Sequence, residues 1–272
     1  MPAASGSPVD GVGLSWRPLV TADGSATLVH PVHGEPCHSR AGAWQEARER
    51  YAAACRLPEF RGERFRLLDV GTGLGLNLAA ALEALAGTAA SLDVVTLEAD
   101  RAVIGAGLAL EEPPEVLRWL APVRTALRAC LDGSATAPLV AGTLRLVLGD
   151  ARATLPALDP DLRFDAVFLD PFSPRVEPDL WHPAFLAAIA SRMAPGSLLS
   201  TYSAATAVRA GLVSAGLRVG PGLRVGTKSA GTLASPDHPL PAFDERARRR
   251  IERRANALKA GLPPAERLPP AC

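Results

Sequence analysis

The segment Leu67-Leu68-Asp69-Val70-Gly71-Thr72-Gly73-Leu74-Gly75-Leu76-Asn77 has the residue types to hold a small charged molecule. Gly71, Gly73 and Gly75 let the chain bend sharply and approach a ligand closely, because no Cβ intervenes. A helix opening there offers free N–H groups to a carboxylate or phosphate. The spacing is G-x-G-x-G, not the G-x-G-x-x-G of dinucleotide-binding enzymes. Taken alone, such a triplet also makes an ordinary tight turn. Three more acids narrow the choice. Glu98 closes a second apolar run and can accept hydrogen bonds from both hydroxyls of a ribose. Asp150, followed by Ala151, closes a third and can reach an adenine amino group. Asp170 closes a fourth, beside the expected reacting centre. Taken alone, Glu98 also reads as a solvated side chain and Asp150 as a plain turn. Together they stand at successive strand ends, where open α/β sheets bind their ligands. S-adenosylmethionine fits this pattern better than NAD. The loop amides suit its carboxylate and Asp69 its ammonium, whereas a pyrophosphate gains nothing from Asp69. The expected cofactor set is Asp69, Gly71, Thr72, Gly73, Gly75, Asn77, Glu98, Asp150 and Ala151.

The acceptor side is expected in Leu169–Leu186, "LDPFSPRVEPDLWHPAFL". Pro171 and Pro174 stiffen the backbone directly after a buried strand, so the loop is preformed. An acid and an aromatic residue, Asp170 and Phe172, suit a planar or amine-bearing acceptor. Trp181 either joins this mouth or packs as core. His38 and Tyr202 are either polar groups at the mouth or structural hydrogen-bonding residues.

These residues need a scaffold, and the apolar pattern supplies one. "FRLLDV", "LDVVTLEA", "LRLVLGD", "FDAVFLD" and "GSLLSTY" read as five buried strands, and "LRVG" and "GTLAS" as two short last ones. Helical segments alternate with them, which implies a mostly parallel seven-stranded sheet covered on both faces, a Rossmann-like α/β fold. Before it, "WRPLVTADGSATLV" reads as a hairpin turning at Asp23-Gly24. A helix from near Ala41 follows, its apolar face formed by Ala43, Ala47, Tyr51 and Ala54. Pro113, Pro114, Pro122 and Pro138 predict short helices and a loop over 105–143. The expected division is a β/α extension over 1–60 with a mobile Gly-rich start, a catalytic domain over 61–235, and a charged tail over 236–272.

The 272 residues are 48% apolar, enough for one substantial core. A net charge of +1 gives no whole-chain support to nucleic-acid binding. The four cysteines show neither CxxC pairing nor metal spacing, so no metal site is expected. No signal peptide and no membrane-length apolar run is read, so the expected location is the cytoplasm.

"HGEPCHSRAGAWQEAR", "LLDVGTGLGLN", "FDAVFLDPFSPRVEPDLWHPAFL", "STYSAATAVRAGLVSAGL" and "GTLAS" resemble, in this order, the methyltransferase half of the tRNA wobble-uridine enzymes MnmC and their stand-alone MnmD counterparts. The resemblance runs from about Trp16 to Ser235. The most specific part is the D-x-F-[SA]-P loop with its later P-[DE]-x-W. It implies a class I fold and methylation of a 5-aminomethyl group on the wobble uridine of tRNA. It also implies that Asp69, Gly71, Gly73, Asn77, Glu98 and Asp150 contact the cofactor. Asp170 then faces the acceptor amine as the catalytic residue, with Phe172, Ser173, Pro174, His38 and Tyr202 around the substrate. An alkylamine titrates near ~10, and its ammonium form has no lone pair. Asp170 would orient it, and a dry pocket would ease its deprotonation. Cys37 stands where the family has Tyr, and the family's basic segment is replaced by Gly226-Thr227-Lys228-Ser229-Ala230-Gly231-Thr232. The Arg-rich tail (Arg246, Arg248, Arg249, Arg250, Arg253, Arg254) either compensates or is an ordinary solvated helix. The implied partners are the tRNA anticodon loop and a separate FAD-dependent oxidoreductase or other enzymes that install the aminomethyl group. Competing readings are methylation of a small amine, a non-catalytic cofactor- or tRNA-binding subunit, and aminopropyl transfer.

Overall fold

A computed structural model of the chain describes residues 15–225 and 230–261. The Gly-rich start and positions 226–229 of the Gly226–Thr232 segment lie outside them. So do the last residues, 262–272.

The apolar runs form the strands of one sheet. They are β3 (Arg64–Val70), β4 (Ser91–Glu98), β5 (Ala137–Leu139), β6 (Gly142–Leu148), β7 (Phe164–Leu169), β8 (Met193–Thr201), β9 (Arg218–Pro221) and β10 (Thr232–Ser235). Their order is β5-β6-β4-β3-β7-β8-β10-β9. The five strands β6, β4, β3, β7 and β8 run parallel. β10 lies antiparallel between β8 and β9. The expected seven strands are all present. The eighth, β5, is a three-residue antiparallel edge holding Pro138. Proline is tolerated there because an edge strand leaves one row of N–H groups unpaired.

Helices cover both faces. On one face α2 (Leu76–Leu85) and α4 (Pro114–Leu131) pack with α3 (Arg101–Gly107). On the other lie α6 (Pro183–Ala190) and α7 (Thr206–Ser214), with the short α5 (Ala151–Thr154) nearby. The expectation of broken helices over 105–143 is corrected. α4 runs through Pro122 as one helix of 18 residues. Its buried face of Val116, Leu120, Val123 and Leu127 outweighs the hydrogen bond that proline removes.

Before the sheet, β1 (Arg17–Val20) and β2 (Ala26–Val29) form the expected hairpin. Asp23 holds its turn by accepting from the hydroxyls of Thr21 (2.7 Å) and Ser25 (2.5 Å). α1 (Ala43–Glu46) follows and passes directly into a π-helical turn over Ala47–Ala53. Leu28, Ala43, Ala47 and Tyr51 of this extension share one core with Leu67 and Leu76. α8 (Glu245–Lys259) packs on α7 through Ile251 and Ala255. Among the described residues, no helix is long and apolar enough to cross a membrane.

Candidate active site

The glycine bend sits between β3 and α2. Gly71 and Gly73 have φ of 93° and 50°, the left-handed region that favours glycine. A Cβ on Gly71 would lie 2.7 Å from the Asp170 carbonyl oxygen, whereas one on Gly73 would meet nothing within 4 Å. Both line a cavity of about 560 Å³ at the carboxyl ends of the strands. That size is ordinary for a small-molecule site. Gly75 has turned away, and its α-carbon faces Val123 and Leu127 of α4.

Asp69 does not reach this cavity, which corrects the sequence expectation of an ammonium contact. It is fully buried, and its Oδ2 accepts from Thr96 Oγ1 at 2.6 Å. Thr96 in turn meets Thr72 Oγ1 at 2.5 Å, so Thr72 is also spent within the strand ends. Burial, then the nearby Asp170 and Glu98 charges, push the Asp69 carboxyl well above its ordinary range. Its Oδ1 is buried without a hydrogen-bond partner. Asn77 is likewise off the wall. Its Nδ2 donates to Asp170 Oδ2 at 2.8 Å, so it positions the acid rather than lining the cofactor space.

Asp170 is on the wall, just beyond β7. Its Oδ1 accepts from the hydroxyl of Tyr51. Burial, then the charge of Glu46, push its pKa up to about 7, against the hydrogen bonds of Tyr51 and Asn77 and the Arg50 charge. Glu46 itself lines the cavity, accepting from Ser39 N at 2.7 Å and from Arg50 Nε at 3.1 Å. Arg50 is only 1% exposed. Sequence reasoning missed Glu46 and Arg50, and read Tyr51 only as part of an apolar face. The cause is the π turn. Its wider winding, marked by the Ala54 N to Glu49 O bond, buries Glu46, Arg50 and Tyr51 together. The available signal was the Glu46–Arg50 pair, four residues apart beside a helix face of alanines.

The acceptor loop is fixed at several points. Phe172 N donates to Glu177 Oε2 at 2.8 Å, and Trp181 Nε1 donates to Phe172 O at 2.8 Å. Trp181 is thus a buried strut rather than a wall residue. Ser173 gives both its N–H (3.0 Å) and its hydroxyl (2.8 Å) to Glu35, and neither Ser173 nor Pro174 lines the cavity. Phe172 does line it, stacked on Trp16 at 6.0 Å and edge-on to His30 at 5.1 Å. Tyr202 lines it while its hydroxyl donates to Pro171 O at 3.0 Å. His38 lines it with Nδ1 2.9 Å from Thr27 Oγ1. Cys37 is also on the wall, its thiol pushed up by burial and so kept neutral.

At the far end Glu98 ties the glycine bend down, accepting from Gly73 N and Asp100 N at 2.9 Å each. Asp150 caps α5 and pairs with Arg152 Nη2 at 2.7 Å, with Ala151 beside it on the wall. Arg152 continues to Asp179 at 2.6 Å. The described wall holds eight carboxylates and one guanidinium. Such a site attracts cations and repels phosphate.

A family described as S-adenosyl-L-methionine-dependent methyltransferase matches residues 121–237. The crystal structure of MNMC2 from Aquifex aeolicus is 32% identical, with a TM-score of 0.72 over 89% of this chain and 77% of that one. The tRNA 5-methylaminomethyl-2-thiouridine biosynthesis bifunctional protein MnmC of Pseudomonas paraeruginosa is 36% identical over 196 residues, 68% of this chain and 30% of that protein. The protein of the same description from Chromobacterium violaceum is 33% identical over 243 residues, 82% of this chain and 35% of that protein. The chain thus spans about a third of the length of these curated relatives.

Proposed function

This chain belongs to the S-adenosyl-L-methionine-dependent methyltransferase family that includes MNMC2 of Aquifex aeolicus, and on that premise we propose that it methylates the 5-aminomethyl group of the tRNA wobble uridine. Its cofactor is S-adenosyl-L-methionine. The site residues fit that molecule. Gly73 leaves open space where a Cβ would stand, Glu98 and Asp150 stand at successive strand ends, and acids surround the space. When bound, the cofactor supplies an electrophilic methyl group on a cationic sulfonium.

One observation carries the acceptor assignment: a carboxylate with a pKa near 7 lines the cavity, held by Tyr51 and Asn77. An aminomethyl group arrives largely as an ammonium and must lose a proton before nitrogen can attack. Asp170 attracts the ammonium, aligns it, and receives that proton at a carboxylate oxygen. A pKa near neutrality suits this transfer. Phe172, Trp16 and His30 offer flat faces to a base at the mouth, and a wobble base in a loop enters with little unpairing. Tyr202 keeps the Pro171 end of the loop closed. Catalysis falls to the strands and loops of 61–235, residues 1–60 complete the site, and 236–272 form an accessory tail. The compartment is the cytoplasm, where an FAD-dependent oxidoreductase unit or another enzyme supplies the amine.

The test is nucleoside mass spectrometry of tRNA carrying 5-aminomethyluridine after incubation with purified protein and S-adenosylmethionine. The expected product is heavier by one methylene at that nucleoside. A small alkylamine methylated while the tRNA is left unchanged would defeat the proposal.

A further inference from the structure

We propose that the exposed arginine face of α8 is the phosphate-binding surface for the RNA whose base enters the cavity. This rests on the tRNA reading above and assigns it a grip that the cavity lacks. The cavity wall is acidic, so it draws in an amine but pushes the flanking phosphates away. An RNA substrate must therefore be held by charge elsewhere.

The charge is concentrated in one element. α8 carries seven cations against two carboxylates, a balance of +5, while the whole chain is only +1. The rest of the molecule is therefore net acidic. Within α8 the arginines differ. Arg248 is paired with Glu245 and Glu252 at 2.6 and 2.8 Å, and Arg249 with Glu245 at 2.5 Å. Arg246, Arg250 and Arg253 are exposed and make no ion pair among the described residues. Their spacing of four and three residues places them in one stripe about 10 Å long, on the face opposite the buried Ile251 and Ala255. Among the described residues this stripe has no carboxylate paired to it, unlike Arg248 and Arg249.

Its placement is suitable. Tyr202 on the cavity wall is followed by α7 from Thr206. In the first turn of α7, the Arg209 guanidinium lies 4.3 Å over the ring of Phe243, just before α8. The start of α8 is thereby fixed against the helix that follows the cavity-lining Tyr202. Arginine side chains there can meet phosphates of the stem while the loop base is turned into the site.

The experiment compares full-length wild type with R246Q/R250Q/R253Q and R246K/R250K/R253K. Filter binding of tRNA as a function of salt is the readout, with S-adenosylmethionine binding as a control for folding. The glutamine variant is expected to bind tRNA at least about tenfold more weakly, with the slope of log K against log salt reduced by about 2. The lysine variant keeps most of both, and all three bind the cofactor alike. A glutamine variant with wild-type affinity and slope overturns the inference, as does a lysine variant as weak as the glutamine one. Wild type that binds tRNA through this stripe yet never methylates it sinks the acceptor assignment alone.

Discussion

In the proposed reaction Asp170 works only if its carboxylate is costly to keep charged, and its surroundings set that cost. Burial and Glu46 raise its pKa, while Tyr51 and Asn77 hold it down. Asp170→Asn keeps the shape but cannot take a proton, so methylation should fall at least about 10²-fold with cofactor affinity nearly unchanged. The same substitution should stabilise the fold at pH 8. A carboxyl raised to about 7 in the fold, against 3.8 as its ordinary value, contributes stability below the lower value that is lost as pH rises through the upper one. The melting temperature of Asp170→Asn should therefore gain on wild type between pH 4 and 7, and equal shifts at both ends would contradict this. Tyr51→Phe removes a donor to the charged form, a bond worth about 1.5–3 kcal/mol. The acid limb of the pH–rate profile should move up by roughly one unit. A loss of rate with the limb unmoved would mean Tyr51 only packs. The strand-end positions of Asp170, Glu98 and Asp150, with the bend at Gly71 and Gly73, were legible because strand ends announce themselves in sequence. Asp69 and Asn77 were placed in the right neighbourhood, but their bonds to Thr96 and Asp170 were not readable, since spacing does not say where a side chain points.

Among the elements, the acceptor loop shows how rigidity is shared across the chain. Its prolines were readable, but its anchors were not. Glu35, more than 130 residues earlier, accepts two hydrogen bonds from Ser173. Glu177 accepts one from Phe172 N, and burial raises its pKa. Glu35→Ala leaves Ser173 N–H without that partner and frees the loop beside Asp170. Small misplacements at such sites cost large factors in rate. The expected outcome is a fall of roughly tenfold in kcat/KM for tRNA with an unchanged dissociation constant for S-adenosylmethionine. Equal weakening of both would place Glu35 in the cofactor wall instead. The helices had the opposite fate. Proline rules over-predicted breaks in α4, because burial of one apolar face tolerates a missing backbone bond. The π turn left only the Glu46–Arg50 pair as a signal, since it is a property of winding and not of residue type.

For the whole molecule, the division at residue 60 that composition suggests does not follow the core. The extension supplies Leu28, Ala43, Ala47, Tyr51 and Leu57 to the cluster that contains Leu67, Leu76 and Leu78. Tyr51 and Leu57 are fully buried there. Deleting residues 1–60 would expose the face of α2 that this segment covers and strip Asp170 of Tyr51. Each large buried side chain removed costs about 2–5 kcal/mol. A domain has only about 5–15 kcal/mol in total. Losing several at once exceeds that margin. The truncated chain is therefore expected to show no cooperative thermal transition by circular dichroism and to elute as aggregate. The other end should behave differently. α8 buries only Ile251 and Ala255, so a chain ending at residue 243 should keep a cooperative transition and bind cofactor. A stable, cofactor-binding 61–272 fragment would show that the sheet folds without the extension. Tyr51 and Glu46 would then belong to an add-on, and the pKa of Asp170 would be set without them.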